Sequence, residues 1–160
     1  MKNCFIFLLL CAIVISGCTA TARLYPVQGP LSRQTPAPVL VGKLTDGLKS
    51  GAISMQVSDT ELCKGKWTIV QRPSSTKLAS AAPSTTTANL GPEWDIVYGS
   101  GFYTAHVLGA RLYGRAQLTG SLGTTLTVEI IKPDTGENNA PGSVRGVARD
   151  NKENIYKVTF

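Results

Sequence analysis

A thiol, an imidazole and two carboxylates are the groups from which this chain could build chemistry: Cys63, His106, Glu93 and Asp95. A nucleophilic thiol needs a lowered pKa. Lys64 and Lys66 beside Cys63 would favour the thiolate, but nothing in the sequence brings the single histidine, His106, within reach as its base. His106 has no second histidine and no Cys/His spacing around it, so a metal site is not expected. Glu93 and Asp95 follow Pro92 in a pattern that also suits a helix start, where proline fits the first turn and acids complement the positive end of the dipole. A general acid/base dyad therefore has a structural competitor. The fragment Gly99-Ser100-Gly101 lacks the third glycine of a dinucleotide fingerprint, and no Gly-Lys-Ser/Thr or Gly-x-Ser-x-Gly motif occurs. No cofactor is expected.

The remaining thiols, Cys4, Cys11 and Cys18, belong to the N-terminal segment. There MKN, with Lys2, precedes the apolar run CFIFLLLCAIVI, and ISGCTA follows it. Cys4 to Ile15 is well short of the roughly 20 apolar residues that cross a bilayer, whereas charged, apolar and small regions in that order make an export signal. Ser16-Gly17-Cys18, with Ile15 where leucine is usual, resembles the lipobox of bacterial lipoprotein signal peptides. That resemblance implies cleavage after residue 17 and acylation of Cys18, which becomes the first mature residue. Each buried CH₂ of such a chain adds about 0.8 kcal/mol of anchoring. It also implies membrane lipid as a partner through Cys18. Thr19 replaces the aspartate associated with inner-membrane retention, so the location implied is the cell envelope, at the periplasmic face of the outer membrane. Cys4 and Cys11 would leave with the signal, stranding Cys63 without a disulfide partner. A lone thiol in an oxidising compartment fits a packed, structural position.

Chemistry of any kind must be positioned by the rest of the chain. Residues 18–38, with Pro26, Pro30, Pro36 and Pro38 and no helical apolar stripe, read as a lipidated tether, although Leu24, Tyr25, Val27 and Leu31 would let part of it dock as an edge strand. From 39 to 160 one β-rich domain is expected. In AISMQVS, Ile53, Met55 and Val57 share one face, and in KWTIVQ Trp67 and Ile69 do so, with Trp67 anchoring the core. Residues 73–91 are rich in Ser, Thr, Ala and Pro and read as a flexible insertion. PEWDIVYG fits a short helix over 92–99, with an alternating Trp94, Ile96, Tyr98 strand as the alternative. Two hairpins close the chain: LYGRAQLTG turning into TTLTVEIIK, with Leu126, Val128 and Ile130 on one face, and SVRGVARD turning into IYKVTF. Loss of Asn154 to Phe160 is expected to abolish folding.

Seven or so short strands and scant helical pattern predict an all-β fold, mainly antiparallel, either a small sandwich or a partly open barrel. LYPVQGPL, CKGKW and GVARDNKENIYKVTF are similar to segments of a group of small bacterial envelope lipoproteins that has no assigned activity, so no catalytic residue follows from that likeness. The net charge of +6 arises from 16 basic and 10 acidic residues, scattered without a run of five or more. That suits an envelope protein or a cell-wall or lipid polyanion as partner, rather than nucleic acid. The most aromatic and glycine-rich stretch offers Tyr98, Phe102, Tyr103 and Arg111 as candidate partner-binding residues. Two functions remain open. One is a non-enzymatic binding or structural module; the other is an envelope hydrolase whose site would join at least two of Cys63, Glu93, Asp95 and His106.

Overall fold

A computed structural model describes residues 19–45, 50–70, 89–110, 112–132 and 144–160. Across them, side chains that alternate between apolar and polar produce strands whose every second residue faces one way. These are β1 (Thr19–Gln28), β2 (Leu40–Thr45), β3 (Ser50–Ser58), β4 (Glu61–Ile69), β5 (Leu112–Thr119), β6 (Thr125–Lys132), β7 (Arg145–Asp150) and β8 (Ile155–Thr159). They pair antiparallel in chain order, and β8 pairs back onto β1, which closes a barrel. Closure removes the unpaired edge that an open sheet would expose.

An eight-stranded barrel is just wide enough for its own side chains to fill it. The filling comes from Ala22 and Leu24 on β1, Leu40 and Leu44 on β2, Ile53 and Met55 on β3, and Cys63 and Trp67 on β4. Opposite them lie Ala116, Leu118, Leu126, Val128, Ile130, Ala148, Tyr156 and Val158. Trp67 is the largest problem in that space, and glycine solves it. A methyl group on Gly51 would stand 2.5 Å from the indole nitrogen, closer than real side chains approach. The indole N–H then donates to the Thr45 carbonyl at 2.9 Å.

A second layer covers one wall. The connection from β4 to β5 carries the helix α1 (Gly91–Tyr98) and a π-helical turn, Tyr103–Val107. From it Leu90, Trp94, Val107 and Ala110 pack over Tyr113, Ile131 and Val147 on the outside of β5, β6 and β7. Strand β6 is thereby buried on both faces, which is why Val128, Glu129, Ile130 and Ile131 are consecutive buried residues.

Antiparallel order sends the turns after β1, β3, β5 and β7 to one end of the barrel, hereafter the turn end. Carboxylates close it. Buried Glu61 accepts hydrogen bonds from the backbone N–H groups of Leu122 and Thr124 and from the Thr124 hydroxyl. Asp150 accepts from the backbone of Lys152 and Asn154, the Asn154 amide and the Tyr156 hydroxyl. Asn154 in turn accepts from the Leu31 N–H at 2.9 Å.

Several expectations hold. The fold is all-β, both C-terminal hairpins form, Leu126, Val128 and Ile130 point inward, and Trp67 is a core residue. Of the two architectures expected it is the barrel that forms, fully closed, with eight strands among the described residues where seven or so were expected. Residues 92–99 form the expected short helix and not the alternative strand, since α1 buries Trp94 while leaving Ile96 exposed. The segment read as a tether, part of which could dock as an edge strand, is revised: Thr19–Gln28 is an integral strand bonded on both sides, so the domain includes these residues as well as those from 39 onward. The residue that misled is Pro26, which cannot donate to a ladder; it stands where the pairing with β8 shifts register. The insertion expected over 73–91 lies outside the described residues up to residue 88, and its last residue, Gly91, opens α1.

Candidate functional site

The four reactive side chains singled out by type do not converge. Cys63 lies inside the barrel with no measurable exposure, its Sγ 3.8 Å from the Thr124 carbonyl oxygen. Burial raises its pKa, and the negative charges of Glu61 and Asp150 add to the rise against the opposing Lys152 ammonium. That thiol is poorly suited to nucleophilic work. Glu93 sits on the outer wall in the first turn of α1 and receives an Arg149 N–H at 2.6 Å. Asp95, two residues on, accepts the Tyr103 N–H at 2.9 Å and so fastens the π-helical turn to α1. Of the two acids only Glu93 occupies the helix's first turn, so the dipole argument applies to one of them. His106 is exposed and packs its ring 4.6 Å from that of Phe102. Among the described residues, no group of three or more His, Cys, Asp or Glu could hold a metal ion.

Three of the candidate partner-binding residues are placed by the same connection. Tyr98 and Phe102 are half-buried and stacked on each other at 4.7 Å, in a cluster in which Trp94 stacks on both and His106 packs against Phe102. Tyr103 is buried, its hydroxyl without a hydrogen-bond partner among the described residues, so it supports the layer rather than offering a surface. Arg111 lies outside the described residues, as does Cys18.

Side chains that sequence reasoning passed over complete this wall. The Arg145 guanidinium stands 5.8 Å from the Tyr98 ring centre and 5.7 Å from that of Phe102, and the Lys157 ammonium stands 5.4 Å from Tyr98. Cations over ring faces at such distances are attracted by the ring quadrupole. The Tyr98 hydroxyl donates to the Gly146 carbonyl at 3.2 Å, pinning the aromatic cluster to β7, and burial raises its pKa. Both cations occupy outward positions of strands whose alternation was legible. What could not be read was which outward positions α1 would reach.

A second overlooked group lies under the helix. Glu129, fully buried, accepts from the Leu90 N–H at 3.0 Å, the Trp94 indole N–H at 2.9 Å and the Arg115 guanidinium at 2.5 Å. The Tyr113 hydroxyl accepts from Arg115, and its pKa is driven far up by burial and the Glu129 charge. This pair ties α1 to the barrel. With its carboxylate enclosed by donors, its arrangement is that of a fastening. No known protein family, curated protein or solved structure matches the chain.

Proposed function

We propose that this chain is a lipid-anchored protein of the bacterial envelope, whose barrel serves as a non-enzymatic binding or structural module facing the periplasm. The observation that carries the reading is the dispersal of the reactive groups. Cys63 is inside the barrel, Glu93 is paired to Arg149, Asp95 is engaged with a backbone N–H, and His106 lies on the outside. An aromatic and cationic wall, Tyr98 and Phe102 with Arg145 and Lys157, is what the fold leaves at the surface. Rings that combine an apolar body with a polar edge, flanked by cations, suit recognition more than bond-breaking.

The anchor is read from Ile15-Ser16-Gly17-Cys18, with Thr19 favouring the outer membrane. Because β1 starts at Thr19, an acylated Cys18 would hold the barrel against the bilayer without a spacer. Growth with radiolabelled fatty acid tests the reading. The wild-type protein is expected to carry label and to leave the membrane fraction only with detergent, while Cys18→Ala carries none. Equal absence of label from both forms would sink the anchor. Crosslinking and affinity capture of the anchored protein, compared with the Cys18→Ala form, then addresses the envelope partner.

A further inference from the structure

Two clefts meet on the outer wall where β7, β8 and β1 run side by side. One, of about 410 Å³, is lined by Tyr98, Arg145, Lys157 and Thr159 among others; its neighbour, of about 270 Å³, includes Arg23, Tyr25 and the same Thr159. Strand register explains the meeting. Thr159 of β8 lies opposite Arg145 on one side and Arg23 on the other, and one outward position along, Lys157 lies opposite Tyr25. No Asp or Glu side chain lines either cleft. Among the described residues, none of these three cations has an ion-pair partner, because the arginines and lysine that do pair are Arg115, Arg149 and Lys152. The contrast with the turn end is local: the larger cleft there, about 570 Å³, mixes Glu93, Asp150 and Glu153 with Arg33 and Arg149.

The groove also lies toward the end of the barrel at which the chain enters β1. Arg23 is five residues from Cys18, a reach of about 17 Å in extended chain and less along the barrel axis, since barrel strands tilt by roughly 40°. We propose that this groove seats the phosphate-bearing headgroups of the bilayer in which Cys18 is anchored, an inference that rests on the lipoprotein reading. Three unpaired cations complement anionic headgroups, each favouring a negative membrane surface by about fivefold. Tyr25 and Tyr98 have the amphipathic character that suits the boundary between headgroups and water. Acyl chain and basic patch together form a two-part attachment that fixes which wall of the barrel meets the membrane.

Strands β4 and β8 are on opposite sides of the barrel, so Lys64 and Lys66, exposed on β4, serve as internal controls for Lys157. The acylated protein is reconstituted into vesicles of phosphatidylcholine alone or mixed with phosphatidylglycerol, floated, and treated with an amine-reactive label read by mass spectrometry. With phosphatidylglycerol, labelling of Lys157 is expected to fall at least about fivefold. Lys64 and Lys66 should stay unchanged, and about 1 M salt should restore Lys157. Arg23→Gln combined with Arg145→Gln should still float and keep its melting temperature while losing most of that protection. Unchanged protection in the double variant overturns the proposal. So does a floated protein whose three lysines respond alike, and so does equal protection by dissolved glycerol phosphate on phosphatidylcholine vesicles, which would make this a free-phosphate site. Failure of the wild type to float is a different result: it removes the lipid anchor, and this inference with it.

Discussion

Glu129 illustrates how a charged residue becomes structural when a helix covers a barrel wall. Its two oxygens receive a backbone N–H, an indole N–H and a guanidinium, so the desolvated carboxylate is fully occupied. Glu129→Gln removes the charge and replaces one acceptor oxygen with an amide that can only donate. At least one of those donors is then left unmatched, beside an arginine whose side chain is only 14% exposed. Breaking one partner out of a buried pair costs about 3 kcal/mol. Urea unfolding of Glu129→Gln should show a loss of that order, with Trp94 emission shifted to the red in the folded state. A loss below about 1 kcal/mol, the scale of a surface ion pair, would mean that the network is not acting as a fastening. Sequence reasoning could nominate Tyr98 and Phe102 because aromatic residues cluster there. It could not find Glu129, Arg145 or Lys157, because an isolated charge on a strand looks solvated until one knows what packs above it. For the same reason it grouped Tyr103 with its neighbours, although the turn points that ring inward.

Strand β1 shows the corresponding limit for elements. Ala22 and Leu24 alternate with Arg23 and Tyr25 as in any half-buried strand, yet the prolines that follow made the whole stretch read as spacer. By contrast β5 to β8 were legible because turn residues punctuate them and no proline interrupts them. If β1 closes the barrel, its backbone amides should resist hydrogen exchange as strongly as those of β5 and β6, whereas a tether would exchange within the dead time. Leu24, fully buried between β2 and β8, should cost about 3 kcal/mol when cut to alanine, since nothing can collapse into the space. Slow exchange at Ala22 and Leu24 together with that loss would establish the seam; fast exchange would return the segment to a tether. The same reasoning applies to β8, which is paired on both sides, so a chain lacking Asn154 to Phe160 would open the barrel at two seams.

At the scale of the molecule the described residues partition charge: Glu61, Glu93, Glu129 and Asp150 are buried, while most of the lysines and arginines are exposed. Glu61, Glu129 and Asp150 are each buried among donors, so the surface is more basic than composition alone conveys. Stability should then depend on acid at the turn end. The Thr124 hydroxyl holds the Glu61 carboxyl below its ordinary pKa of 4.5, overcoming the opposing effect of burial and helped by the backbone of Thr124 and Leu122. A carboxyl with a lowered folded-state pKa binds its proton more readily when the chain is unfolded. Its contribution is therefore fully present above about 4.5 and disappears as the pH falls through the depressed value. Melting temperature measured against pH should be flat in this respect from neutrality down to about 4.5 and should decline below it. Glu61→Gln should melt lower than wild type at pH 7, because the amide nitrogen faces N–H and O–H donors that need an acceptor, and the two curves should converge in acid. Parallel curves at every pH would show that the charge on Glu61 contributes nothing and that only its shape closes this end of the barrel.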